Sequence, residues 1–95
     1  MTRLSPIASL QADIARIFGV PKRVLTNREL PASALQARWA GMFIARNALG
    51  KSHSEIARRF GRHPATIRHG IAQARRLIDE DVVFAGQVRE LEARL

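Results

Sequence analysis

The 95-residue chain has no cysteine and no tyrosine, and it contains one tryptophan and four phenylalanines. The lack of cysteine excludes disulfides and thiolate metal sites. The lack of tyrosine excludes strand transfer through a phenolic nucleophile. No apolar run approaches the length of a membrane span, and the first residues lack the apolar stretch of a secretory signal. We therefore expect a cytoplasmic protein without a membrane partner.

Acidic residues are scarce in most of the chain. Residues 1–78 carry 14 Lys and Arg side chains against 3 Asp and Glu, whereas residues 79–95 carry 2 against 5. A basic body of this size attracts polyanions, among which nucleic acid is the commonest. A basic surface that only aids solubility is the alternative that composition alone leaves open.

Catalytic chemistry has few candidate residues in this chain. The acidic cluster Asp79–Asp81 could in principle hold magnesium, but carboxylates at a helix start more often act as caps. The histidines lack the helical pairing and the cysteine partners of a metal site; they are His53, His63 and His69. We expect no enzymatic activity, no metal, no cofactor and no small-molecule substrate.

Apolar residues recur at helical spacing along the whole chain, which predicts an all-α fold with residues 1–95 forming a single helical domain. A first helix opens at Ser5 and Pro6 and stops at Gly19. Residues 21–25 read as a short helical turn, and Thr26–Ala32 reads as a loop. The first apolar stripe consists of Ile7, Leu10, Ile14 and Ile17 or Phe18.

Two further helices flank the middle of the sequence. The earlier one is predicted from a Ser33 cap to Leu49, ending at Gly50, with Arg38 and Arg46 pointing outward. Its inward residues are expected to be Leu35, Trp39, Met42, Phe43 and Ala45. The later one spans roughly residues 82–95 after a break at the acidic cluster. Its packed side is expected to carry Val83, Phe84, Val88, Leu91 and Leu95.

The segment from residue 52 to residue 78 reads as a helix-turn-helix, with helices at about 53–60 and 64–78. Ser52 and Glu55 have the spacing of a capping box. Gly61 suits the left-handed end of a helix, and Pro64 suits the first turn of the next. The inward residues are Ile56, Phe60, Ile67 and Ile71. The outward residues are Arg62, His63, Ala65, Arg68 and His69.

Several segments follow one another in an order known from one family. They are residues 14–20 (Ile-Ala-Arg-Ile-Phe-Gly-Val), 38–46 (Arg-Trp-Ala-Gly-Met-Phe-Ile-Ala-Arg), Ser52-x-x-Glu-Ile56, Phe60-Gly-Arg62 and Thr66-Ile-x-His69. From Ile7 to about Leu91, the chain resembles the C-terminal DNA-binding domain (domain IV) of the bacterial replication initiator DnaA. The resemblance implies a Trp-repressor-like bundle of helices around a helix-turn-helix that binds double-stranded DNA.

The chain departs from this family at the residues that read bases. The family's recognition helix opens with Gly-Gly-Arg-Asp-His-Thr-Thr-Val-x-His, whose Asp-His-Thr reads a nine-base-pair box. Here one glycine, Gly61, precedes Arg62, and His63-Pro64-Ala65 takes the place of Asp-His-Thr. The changes put recognition of a standard DnaA box in question.

Two further differences concern regions outside the recognition helix. The family's arginine-rich minor-groove loop corresponds to the predicted loop 26–32, where Arg28 is the one basic residue. No phosphate-binding Gly-x-x-x-x-Gly-Lys-Ser/Thr loop occurs, so this chain does not carry ATP hydrolysis. We expect a stand-alone relative or a fragment rather than an initiator.

The motif class and the resemblance together nominate DNA-contacting residues. A recognition helix presents its N-terminal end to the major groove, and arginine pairs well with guanine. The base-contact candidates are His63, Ala65, Arg68 and His69. The phosphate-contact candidates are Arg28, Lys51, Ser52, Arg58, Arg59, Arg62 and Thr66. One of Arg58 and Arg59 is expected to face DNA, and Arg75 and Arg76 to balance the acidic tail.

The leading hypothesis is a double-stranded DNA-binding protein with a sequence preference, associated with the nucleoid, in the regulation of replication or transcription. Replication or transcription proteins are possible partners. The alternative is a protein-interaction module on a relict DnaA-like scaffold, favoured by the His-Pro-Ala replacement and the acidic final helix. A third class, an enzyme acting through the acidic cluster, would reveal itself in a magnesium-dependent cleavage assay.

Overall fold

Helices make up almost all of the chain that the structure describes. This computed structural model describes residues 6–26 and 32–95. The helices are α1 (Pro6–Phe18), α2 (Ala32–Asn47), α3 (His53–Phe60), α4 (Pro64–Glu80) and α5 (Val82–Ala93), and a 3₁₀ turn spans Lys22–Leu25. No strand occurs in the two described ranges. The prediction of an all-α bundle containing a helix-turn-helix is confirmed.

Helix α2 lies at the centre and makes its most extensive contacts with α4 and α1. Two glycines allow this close packing. A methyl group on Gly41 would lie 2.6 Å from Ile14 Cδ1 and 2.9 Å from Phe60 Cζ. A methyl group on Gly70 of α4 would lie 2.4 Å from Met42 Sδ. Both crossings therefore depend on the absence of a side chain at these positions.

The apolar stripes of α1 and of the helix-turn-helix form the core as predicted. Ile7, Leu10 and Ile14 are buried in α1, and Ile17 and Phe18 pack against the core. In the motif, the buried residues include Ile56, Phe60, Ile67 and Ile71. Burial of these side chains is the main favourable term that holds the helices together.

The prediction for the inward face of α2 is partly wrong. Leu35 is 38% exposed, whereas Arg38, expected to point outward, is 3% exposed. The buried positions of α2 include an alanine-rich stripe, consisting of Ala34, Ala37, Ala40 and Ala45. Small side chains let a helix approach its neighbours closely. Arg38 is buried together with these alanines. The prediction that Arg46 is exposed is confirmed.

The ends of α2 and α5 also differ from their predictions. Helix α2 ends at Asn47 rather than Leu49. It begins at Ala32, before the predicted cap Ser33, whose side chain is not among those that the structure describes. Val83 is 70% exposed and Leu95 is 55% exposed, so both are wrong as packed residues of α5. The buried residues Phe84, Val88 and Leu91 follow i, i+4, i+7, and this narrow stripe excludes position 83.

A single residue joins the last two helices. Asp81 ends α4, and its Oδ1 accepts a hydrogen bond from the Phe84 N–H at 3.0 Å, so that it caps α5. This confirms the predicted break and cap. Arg28 and most of the predicted loop 26–32 lie outside the described residues. Within the described residues, no helix is both long enough and apolar enough to span a membrane.

Candidate nucleic-acid interface

The first helix of the motif begins with a side-chain cap. The Ser52 hydroxyl accepts a hydrogen bond from the Glu55 N–H at 3.1 Å. Ser52 is itself exposed, and His53 and Glu55 of the first turn are half-buried. A Glu55 carboxylate oxygen also lies 3.8 Å from the ammonium nitrogen of Lys51, a predicted phosphate contact. The carboxylate therefore offsets part of the positive charge of Lys51.

The turn between the two motif helices is built on Gly61, which has a φ of +64° and ends α3. Residues with a Cβ adopt this left-handed conformation at a cost, so glycine sets the angle between α3 and α4. The Arg62 N–H donates to the Ala57 carbonyl at 2.9 Å, which completes the turn. The prediction for Gly61 is confirmed.

The second motif helix begins with an unusual cap, the imidazole of His63. Its Nδ1 accepts a hydrogen bond from the Ala65 N–H at 3.1 Å, and Pro64 occupies the first turn. Because Nδ1 is the acceptor, the neutral ring carries its proton on Nε2. His63 thus has a structural role that the sequence did not reveal, and its Nε2–H remains available as a donor at an exposed position.

The outward face of α4 presents the predicted base-contact residues to solvent. Ala65, Arg68 and His69 are exposed, and so is Thr66, one of the predicted phosphate contacts. The His69 ring also contacts Trp39 of α2 edge to face, with ring centroids 6.3 Å apart. None of these α4 side chains is taken up by the core.

An open groove of about 680 Å³, here called the turn groove, lies beside the helix-turn-helix turn. It brings together three predicted DNA-contacting residues, namely Arg58, Arg62 and His63. Arg59 does not line this groove. Its carbonyl accepts a hydrogen bond from the Gln11 side chain of α1 at 3.0 Å, which ties α3 to α1. Of the two neighbouring arginines, Arg58 is therefore the one beside the other candidates.

A second depression of about 530 Å³, here called the arginine cleft, lies between the end of α2, the start of α3 and the middle of α4. Its basic side chains come from three helices: Arg46, His53, Arg68 and Arg75. Asn47, Ile71 and Ala72 complete the lining. Only Arg68 among these residues was nominated from the sequence.

One signal in the sequence could have identified part of the arginine cleft. Arg68 and Arg75 are seven residues apart and therefore lie on the same face of α4. By contrast, Arg76 points elsewhere and pairs with Glu80 at 2.8 Å. The contribution of Arg46 and His53 depends on how α2 and α3 pack against α4, which residue spacing does not encode.

Arg38 of α2 is a buried arginine near Val24 and Arg62. Its Nε donates to the Val24 carbonyl at 2.9 Å, and its Nη2 has no hydrogen-bond partner within residues 6–26 and 32–95. Burial, and secondarily the positive charge of Arg62, lower the pKa of Arg38 to about 10. The folded state thus holds this proton less tightly than the unfolded chain, so the charge costs stability at neutral pH.

The geometry of two helix starts, a glycine turn and exposed cations is that of a DNA-binding helix-turn-helix. Over residues 7–74, the sequence matches the family described as the bacterial dnaA protein helix-turn-helix. The chain belongs to this family. The DnaA helix-turn-helix is a DNA-binding domain, and double-stranded DNA is the ligand that this membership implies.

Individual relatives of the DnaA family give the same result. The chain is 29% identical over 90 residues to the chromosomal replication initiator proteins DnaA of Rhodopseudomonas palustris (strain BisB5) and Bradyrhizobium sp. (strain ORS 278). It is 28% identical to that of Nitrobacter hamburgensis. These alignments include 94% of this chain, which spans 19% of the length of each relative.

Proposed function

We propose that this chain is a sequence-preferring double-stranded DNA-binding protein that regulates replication or transcription at the nucleoid. In this proposal the five helices act as one DNA-binding unit, and the first half of α4 enters the major groove. The observation that carries it is the exposure of Arg68 and His69 on the outward face of α4, a helix whose first residue, Pro64, lines the turn groove.

The start of α3 is proposed to hold the DNA backbone. Exposed N–H groups and the positive end of the helix dipole attract phosphate. Ser52 contributes a hydroxyl, and Arg58 and Arg62 contribute charge from the turn groove. Lys51 and Thr66 are further proposed phosphate contacts. Arg28 and Arg59, nominated from the sequence, complete the set. Together these groups would fix the register of α4 without reading sequence.

Base recognition is proposed to come from the outward face of α4. The Arg68 guanidinium can pair with the O6 and N7 edge of guanine. The His63 Nε2–H and the His69 ring offer hydrogen bonds, and the Ala65 methyl suits contact with a thymine methyl. These groups differ from the Asp-His-Thr of the DnaA signature. We therefore propose a target that differs from the standard DnaA box.

Selection of bound duplexes from a random pool tests this function, with the wild-type chain and Arg68→Ala compared. We expect an enriched motif for the wild type and a loss of discrimination at one guanine position for Arg68→Ala, worth about 1–3 kcal/mol. Arg89→Ala is the matched control, since Arg89 is exposed on α5 and lines neither the turn groove nor the arginine cleft. Failure of the wild type to enrich or bind any duplex would contradict the proposal.

A protein-interaction module is the rival function, and one observation favours it. Val82 and Val83 at the start of α5 are 86% and 70% exposed, which leaves apolar surface uncovered. A pull-down with nuclease treatment separates the two functions. A partner captured through DNA disappears after digestion, whereas a partner that binds the protein directly remains.

A further inference from the structure

The arginine cleft gathers positive charge that the residues around it do not neutralise. Within residues 6–26 and 32–95, no carboxylate forms an ion pair with Arg46, Arg68 or Arg75. Arg46 donates one hydrogen bond to the Lys51 carbonyl at 3.2 Å, which holds its side chain against the loop before α3. None of the residues that line the cleft is acidic.

Arg76, the residue after Arg75 on α4, differs from the arginines of the cleft because it is paired with a carboxylate. Arg76 donates to Glu80 at 2.8 Å and to Gln73 at 2.9 Å, so its charge is matched by the side chains of its own helix. Arg75, one residue earlier, lines the cleft and forms no ion pair within the described residues, although Asp79 lies four residues beyond it on α4. The two residues differ in surroundings although they carry the same charge and are both exposed.

The cleft is continuous with the surface proposed to face DNA. His53 is the first residue of α3, directly after the Ser52 cap, and Arg68 belongs to the outward face of α4. Arg75 lies seven residues beyond Arg68, which is about 10 Å along the helix. A DNA strand held at the start of α3 thus meets a cationic path along α4. The small side chain of Ala72 leaves room for it between the arginines.

We propose that the arginine cleft binds the phosphodiester backbone of the duplex, next to the base pairs that α4 reads. This proposal rests on the proposed function and deepens it, because it adds Arg46, His53 and Arg75 to the phosphate contacts. A B-DNA strand carries one charge per 3.4 Å of helix axis, so a path of about 10 Å corresponds to about three phosphates. Arg46, His53 and Arg75 supply three side chains that can each contact one of these phosphates.

Salt-dependent titration of a fluorescent duplex tests the cleft, with Arg75→Ala and Arg76→Ala as a matched pair. Each phosphate contact contributes about 0.9 to the slope of log affinity against log salt concentration. We expect Arg75→Ala and Arg46→Ala each to reduce the wild-type slope by about one unit. We expect Arg76→Ala to leave it unchanged, although the formal charge falls equally. Unfolding curves verify that all variants remain folded.

The length of the duplex provides a second, independent readout. The cleft is proposed to contact DNA outside the base pairs read by α4. Shortening the duplex at the end that reaches the cleft should therefore abolish the difference in salt slope between the wild type and Arg75→Ala. Trimming on the other side should leave that difference intact. A difference that persists on both trimmed duplexes would overturn the proposed position of the backbone.

The possible failures are distinguishable from one another. If the wild type binds no duplex, the proposed function fails. If the wild type binds and Arg75→Ala has the same salt slope as wild type, only the inference about the cleft fails. Pyrophosphate or an acidic peptide could instead shift the NMR signals of the residues that line the cleft. If either does so while Arg75→Ala binds duplex normally, the cleft binds a different anion and the inference is overturned.

Discussion

Trp39 of α2 and His69 of α4 meet edge to face, with ring centroids 6.3 Å apart and an interplanar angle of 77°. Trp39 is half-buried and is the only tryptophan of the chain, whereas His69 is exposed on the outward face of α4. The pair connects the packed side of the bundle to the proposed DNA interface. The environment of the Trp39 indole should therefore change when a ligand covers His69.

Trp39 fluorescence should report duplex binding. DNA that covers His69 would exclude water from the edge of the indole, so we expect emission to shift to shorter wavelength as the duplex is added. His69→Ala should reduce the shift and lower the free energy of unfolding by about 0.5 kcal/mol, because it removes the ring contact. An unchanged emission in a titration whose anisotropy demonstrates binding would contradict this arrangement.

The cap of α4 predicts different outcomes for two replacements of His63. Asparagine is a good N-cap residue and alanine is a poor one. We expect His63→Ala to lower the free energy of unfolding by about 1 kcal/mol and His63→Asn to lower it by less than about 0.5 kcal/mol. Thermal or urea unfolding monitored by circular dichroism measures both.

Duplex affinity separates the capping role of His63 from its proposed DNA contact. Both replacements remove the imidazole Nε2–H, so both should weaken binding. Ser9→Ala serves as a control, since it changes an exposed side chain of α1 outside the two motif helices and leaves the Ser52 and His63 caps in place. If His63→Asn bound duplex as tightly as the wild type, His63 would be a cap alone.

Glycine positions in two helices predict opposite changes in stability. Gly41→Ala would place a methyl group 2.9 Å from Phe60 Cζ in the core, and we expect a loss of about 1–3 kcal/mol from overpacking. Gly86→Ala meets no atom within 4 Å and should gain about 0.5–1 kcal/mol through helix propensity. Chemical denaturation compares the two. Equal stability of both variants would refute the close packing of α2.

The buried charge of Arg38 should be nearly dispensable for stability. Arg38→Met removes a charge whose burial is unfavourable and also removes the hydrogen bond to the Val24 carbonyl, which is worth about 1 kcal/mol. We expect the free energy of unfolding to change by no more than about 1 kcal/mol in either direction. A loss above about 3 kcal/mol would mean that the charge is paired in the folded state.

Salt should reveal the repulsion between Arg38 and Arg62. Raising the salt concentration from about 0.05 M to about 0.5 M screens like charges, so it should stabilise the wild type more than Arg38→Met. Arg89→Met is the control, because this arginine is exposed on α5 and is not among the groups that lower the pKa of Arg38. An identical salt response of wild type and Arg38→Met would rule out the repulsion.

Much of the fold could be predicted because local signals agree with it. The Ser52 cap, the left-handed Gly61 and the apolar spacing of α4 act within a few residues and leave direct traces in the sequence. Helix α2 was harder to predict because it packs against several helices at once. Its buried alanines carry a weak apolar signal, and Arg38 shares their face, so the stripe through Leu35 was the wrong choice.

The candidate site could be predicted only along single helices. Arg62, Arg68 and His69 follow from the position of the motif; Arg68 and His69 are exposed as expected, whereas Arg62 is half-buried. The arginine cleft needs α2 and α3 to bring Arg46 and His53 to α4, which is a property of tertiary packing. Likewise, the cap formed by His63 requires an imidazole orientation that residue type alone does not give.

Mapping of backbone amide chemical shifts on duplex addition tests the central claim most directly. The account predicts that the largest changes cluster at residues 52–54 and 61–69 and extend to Arg75, while the amides of α5 and of the first half of α1 stay nearly unchanged. Changes confined to α1 or α5, or no changes at saturating duplex, would contradict the claim that α4 and the start of α3 form the DNA interface.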